Sequence, residues 1–184
     1  MRTCRMATLW LLALFGCDSA VSYSAPVAIN LKAKASDVQQ NVVSDAKSIT
    51  SEMGNPYGAF VSAAQQRLGR APSRIEVTGI GMVLGANSTG VTRLDQVFTG
   101  QVDVLFLMND TNNTYPVGHV INPIGAGPVV VTIDFDGAAV SSVDYPKLLN
   151  GSYSVVVRGP AAAGFASSGA QATIETAFTF AAYE

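Results

Sequence analysis

Alternation of apolar and polar residues with a period of two runs through most of this chain from residue 26 onward. Val27, Ile29, Leu31 and Ala33 alternate with Ala28, Asn30, Lys32 and Lys34, the spacing of a strand with one buried face. Ile75 and Val77 open another such run, which continues through Met82 to Leu84. Its Gly79 and Gly81 predict a bulge or a close backbone approach. Val97 to Met108 is a longer segment in which Val102, Val104, Phe106 and Met108 share a face. Val117 to Ile121 is short. Val129, Val131, Ile133 and Phe135 then alternate with Val130, Thr132, Asp134 and Asp136, and Tyr153, Val155 and Val157 with Ser154, Val156 and Arg158. The last run is the cleanest: Ala172, Ile174, Thr176, Phe178, Phe180 and Ala182 face one way. Residues 36–53 are ambiguous, with Val42-Val43 a candidate strand start and the stretch from Ser48 to Gly54 read as loop.

One segment has the other period. Tyr57, Phe60, Val61, Ala64 and Leu68 fall at helical spacing, with Gln65, Gln66 and Arg67 largely opposite. Asn55 fits the cap, Pro56 the first turn and Gly69 the exit. A single helix near 55–68, laid on a sheet or across a barrel end, follows. Its aromatic stripe reads as core packing. Seven to nine strands plus one packed helix predict a mainly β chain, an antiparallel β-sandwich of Ig-like or open-barrel form.

Composition agrees with this class. Only 13% of residues are charged, while small and β-branched residues are abundant, which suits a sandwich better than a helical bundle. The first sixteen residues have a signal layout. A basic start, Met1 to Arg5, precedes an apolar run, Met6 to Phe15, that is too short to span a bilayer. Removing 1–16 leaves nine basic residues against thirteen acidic ones. Without a basic patch, nucleic-acid binding is not expected. Both cysteines, Cys4 and Cys17, lie in the first seventeen residues, so no disulfide framework is expected.

Leu14-Phe15-Gly16-Cys17 resembles the lipobox of bacterial lipoproteins. The resemblance implies that the Cys17 thiol carries a diacylglyceryl group, that cleavage follows Gly16, and that the new amino terminus is acylated. It divides the chain into a signal peptide at 1–16, a lipidated tether at 17–25 and one domain at 26–184. It implies a bacterial cell-envelope location, lipid-anchored in the membrane and facing the periplasm or the surface. Asp18 resembles an inner-membrane retention signal of enteric bacteria; inner and outer membrane both stay open. A second, shorter resemblance covers Leu148 to Val157, where Leu-Leu-Asn-Gly-Ser-Tyr-Ser-Val-Val-Val is similar to the tyrosine-corner segment of Ig-like and fibronectin-type domains. That implies a Tyr153 hydroxyl bonded to backbone upstream.

Candidate chemistry is sparse. Ser44-x-x-Lys47 matches a penicillin-recognising motif without its companions. Gly85 to Gly90 is one residue too long for a nucleophile elbow, and Gly79-x-Gly81 lacks a following helix. His119 is the only histidine and reads as a half-buried structural residue in a short strand. Oxygen ligands at alternate loop and strand positions give the calcium candidates Asp110, Asn112, Asp134 and Asp136. Asp134 and Asp136 with Asp144 could also form a carboxylate pair for an envelope glycan or polymer hydrolase. Tyr115 and Tyr145, in predicted loops, are the candidate ligand platforms. The leading expectation is a non-enzymatic interaction or structural module with an envelope or extracellular protein or glycan as partner. The alternatives are the hydrolase and a calcium or small-ligand binder.

Overall fold

A computed structural model describes residues 21–52 and 54–184. Cys17, the signal segment and residue 53 lie outside the described residues. Nine strands form two antiparallel sheets. The first carries β1 (Ser22–Lys34), β9 (Gln171–Tyr183), β3 (Arg74–Leu84) and β6 (Val129–Val130) in that spatial order. The second carries β2 (Val42–Ile49), β8 (Tyr153–Pro160), β4 (Gln101–Met108), β5 (Thr114–Ile121) and β7 (Thr132–Ile133). Early strands pair with late ones: β1 with β9, β2 with β8, β3 with β6, and β4 with β5. That nested pairing wraps the chain as a jelly-roll sandwich.

The expected alternation places the core. Val27, Ile29 and Leu31 of β1, Ile75, Val77 and Met82 of β3, and Ile174, Phe178 and Phe180 of β9 point inward. Val102, Val104 and Phe106 of β4 and Val155 and Val157 of β8 meet them from the second sheet. Thr176 is buried among them, and its hydroxyl donates to the Ile29 carbonyl at 3.0 Å, which satisfies that polar group inside the core. The register of β3 against β9 shifts between Val77 and Gly79, the bulge its glycines predict.

The strand at residue 42 runs on through Ile49, further than two valines suggest, because β8 pairs with it at every position. Two other expectations change. Residues 129–135 are not one strand. Val129 and Val130 pair with β3 in one sheet, while Thr132 and Ile133 pair with β5 in the other. The chain crosses at Val131, which is buried, and so closes one seam of the sandwich. The crossing brings the backbone hard against Gly118, where a Cβ would meet the Thr132 carbonyl at 2.5 Å. Val97 to Gly100 do not extend β4: Val97 closes a 3-10 turn (Leu94–Gln96), Phe98 makes an isolated bridge to Ala161, and Gly100 turns the chain at φ 63°. The domain also starts earlier than residue 26: Ser22 to Ala25 are already rungs of β1, paired with Tyr183 to Phe180.

Helix α1 (Pro56–Leu68) is capped as expected. The Asn55 side chain accepts from the Tyr57 N–H at 3.0 Å, and Gly69 takes the left-handed exit at φ 76°. Tyr57, Phe60, Ala64 and Leu68 are buried. The helix plugs one end of the sandwich with an aromatic cluster. Tyr57 sits edge-on to Phe180 and Tyr153, with ring centroids at 5.2 and 5.4 Å. Phe106 lies 4.8 Å from Tyr153. Each such contact adds about 0.5–1.5 kcal/mol beyond area burial.

A short helix, α2 (Tyr145–Asn150), lies just before β8, and it changes the tyrosine corner. The Tyr153 hydroxyl is buried without a hydrogen-bond partner. Tyr57 supplies the bond from α1 instead, donating to the Leu148 carbonyl at 2.7 Å. Burial pushes both phenols up from their ordinary pKa. Tyr57→Phe is therefore expected to cost about 1 kcal/mol in urea unfolding, because it removes the short bond to the Leu148 carbonyl and leaves that oxygen only the Gly151 N–H at 3.4 Å. Tyr153→Phe is expected to change stability by less than about 0.5 kcal/mol or to raise it, since it removes a hydroxyl that bonds nothing.

Candidate functional site

The strands define two ends. At one end β1 begins, β9 finishes and β3 begins, with Ser22, Tyr183 and Arg74 side by side. Both α1 and α2, and the 109–113 turn, sit at this end. At the other lie the 85–100, 122–128 and 161–170 connections.

The most connected polar group is Asp144, just before α2. It has no exposed surface. Thr111 Oγ1 donates to its carboxylate at 2.7 Å, Asn113 Nδ2 and the Tyr115 hydroxyl at 2.8 Å each, and Ser141 Oγ at 3.1 Å. Lys147 Nζ lies 3.3 Å away. Its donors are themselves half-buried or exposed, so Asp144 sits one side chain beneath the surface. Bonds from Asn113 and Thr111 first, then Tyr115 and Lys147, outweigh the effect of burial and hold its pKa well below the usual carboxylate range.

This arrangement reassigns the candidate residues. The alternation of polar side chains over 110–115 is real, but the odd positions carry the interaction. Thr111, Asn113 and Tyr115 turn toward Asp144, while Asp110 and Asn112, at φ 67° and 55°, are exposed. Tyr115 thus anchors a loop through its hydroxyl. Asp134 pairs with His119, Oδ2 to Nδ1 at 2.6 Å, and Asp136 caps a 3-10 turn by accepting from the Ala138 N–H at 2.9 Å. Among the described residues no three His, Cys, Asp or Glu side chains come close enough to hold a metal. Asp134, Asp136 and Asp144 each serve a different local partner. The His119–Asp134 pair has no Ser or Thr hydroxyl bonded to the ring among the described residues. Ser44 and Lys47, three apart on β2, fall on opposite faces of a strand, so that pair shares no site.

Asp136 and Tyr145 do come together, in a cleft of about 540 Å³ at the same end. Ser73, Arg74, Ile75 and Glu76 of the β3 entry form one wall, and Asp136, Gly137, Ala138 and Tyr145 the other, with Glu184 at the rim. Tyr145 is the first residue of α2, not a loop residue, and its hydroxyl accepts from the Ile75 N–H at 3.2 Å. The Arg74 guanidinium lies 4.0 Å above the Tyr183 ring and pairs with Glu76 through Nη1. The Glu76 carboxylate near the Tyr183 hydroxyl pushes that phenol's pKa up. The sequence holds no motif for this cleft, because its walls come from residues some sixty positions apart that meet only when the sheets stack.

No protein-family model matches the chain, and no curated protein or solved structure matches it either. Among the described residues no helix is long and apolar enough to cross a membrane.

A group with a depressed folded pKa stabilises above its unfolded pKa, about 3.9 for Asp, and that stabilisation is lost as pH falls through the folded value. Asp144→Asn should therefore lower the urea midpoint at neutral pH and flatten the loss of stability below about pH 4. Calcium on the order of 1 mM should leave the thermal midpoint unmoved, since the four candidate oxygen ligands do not converge.

Proposed function

We propose that this chain is a lipid-anchored cell-envelope protein whose jelly-roll domain works as a non-enzymatic interaction module. The observation that carries the reading is a spacing. Leu14 to Cys17 resembles a lipobox, and β1 begins at Ser22. Four residues lie between Cys17 and Ser22, and the five steps reach at most ~17 Å. A strand of 13 residues is ~43 Å long, so an acylated Cys17 holds the domain close to the bilayer by the Ser22 end. The opposite loops are then the ones presented to an envelope partner. They include Ile124, which is 66% exposed, beside Ile121 at the end of β5, which is 62% exposed. The roles of the acidic residues also support a binding module over a hydrolase. Asp134, Asp136 and Asp144 are each engaged in a separate structural contact.

The test is the chemistry of Cys17. Mass spectrometry of the native protein is expected to find an N-terminal Cys17 bearing two or three acyl chains. Each chain adds ~0.8 kcal/mol per buried methylene, so the protein should stay with membranes after a high-salt wash, and Cys17→Ser should release it. A water-soluble native product with a free Cys17 thiol would exclude the anchored reading.

A further inference from the structure

We propose that the cleft between the β3 entry, α2 and the end of β9 binds a zwitterionic headgroup of the phosphoethanolamine type, presented by the bilayer to which the domain is tethered. The lipid source rests on the anchored reading; the headgroup chemistry rests on the cleft.

The first argument is position. Ser22, Tyr183 and Arg74 are neighbours across three adjacent strands, so the cleft wall at Arg74 lies ~10 Å from the point where the tether leaves the sandwich. A cleft of about 540 Å³ thus opens at the end that a short tether turns toward lipid.

The second argument is charge. The cleft carries both signs. Arg74 uses Nη1 on Glu76 and presents its remaining N–H groups beside the cavity. The Tyr145 hydroxyl accepts from Ile75 N–H, which leaves its own proton to donate. A guanidinium fork and a phenol suit a phosphate. In the same cleft, Asp136 uses only Oδ1 on the Ala138 N–H and Glu184 only Oε2 on Arg70. Each keeps a carboxylate oxygen for an ammonium group. A phosphate alone would meet uncompensated carboxylates, and an amine alone would meet Arg74. A ligand with both charges a few ångströms apart satisfies both sets of groups.

The third argument is a wall that can be closed without distortion. A Cβ at Gly137 would meet Tyr145 at 3.7 Å and the Ile75 carbonyl and Phe135 at 3.8 Å, all ordinary contacts. A valine there seats its Cβ without displacing a neighbour and adds bulk to the cavity lining.

Soluble phosphoethanolamine is titrated into the full chain carrying Cys17→Ser, which removes the anchor from the measurement. Saturable binding is expected, with phosphoethanolamine preferred over inorganic phosphate. Arg74→Gln and Gly137→Val should each weaken it by about tenfold or more with unchanged thermal midpoints. Asp136→Asn should lose the preference over phosphate. The same Cys17→Ser chain is then floated with vesicles of phosphatidylethanolamine and phosphatidylcholine against phosphatidylcholine alone. Recovery with the first set only, lost in Arg74→Gln, supports the lipid source. No binding of phosphoethanolamine on the order of 10 mM, or equal binding by Arg74→Gln and Gly137→Val, would overturn the proposal. Binding of the soluble compound without flotation would overturn the lipid source alone. An unacylated native Cys17 would remove the anchored reading while leaving the titration as its own result.

Discussion

The thirteen-rung ladder between β1 and β9, from Ser22 opposite Tyr183 to Lys34 opposite Gln171, is the constraint on which the other features depend. It fixes the first strand of the domain against one of the last residues of the sequence. It places β9 between β1 and β3, so that Phe178 and Phe180 enter the middle of the core. It also decides which end of the sandwich receives the chain from its N-terminal side. The sandwich is left open there, and α1 closes it by lowering Tyr57 and Phe60 onto Phe180. The edge of β1 is treated electrostatically, with the Asp45 side chain of β2 accepting from the Lys32 backbone N–H at 2.6 Å.

With so few charges, those that are engaged carry clear structural tasks. Asp144 is the clearest, because one buried carboxylate organises the 109–115 turn, the 141–144 turn and the start of α2 at once. A carboxylate in that position is tolerable only because donors meet it from several sides. Its network steadies α2, and α2 in turn supplies Tyr145 to the cleft. The cleft wall is therefore set by the same contacts that hold the loops, and little of it needs to order when a ligand arrives.

What the sequence made legible was the part governed by local period. The face of β9 from Ala172 to Ala182, the cap and exit of α1, and the bulge in β3 follow from spacing and backbone preference within a few residues. The strand order does not, because alternation says which face is buried and nothing about which strand lies alongside. The split of residues 129–133 between two sheets was hidden for a related reason: Val131 points inward whether its neighbours pair with β3 or with β5. Short α2 was masked by a ten-residue pattern that resembled a tyrosine corner, and its contacts came from Tyr57, nearly a hundred positions upstream. At the polar loop the period was right and the phase was wrong. Asp110 and Asn112 carry oxygen atoms at alternate positions, but the distant Asp144 selects the intervening residues.

The placement of β9 has a consequence for biogenesis. Strand β9, interior to the first sheet, follows the other eight described strands in the chain, so β1 has no partner in that sheet, and β3 only the two-residue β6, until synthesis has reached residue 183. Contacts of such long sequence separation form slowly. A polypeptide whose long-range partner strand comes this late is made for most of its length without a closed core, so the wiring of this sandwich sets the earliest moment at which the domain can fold.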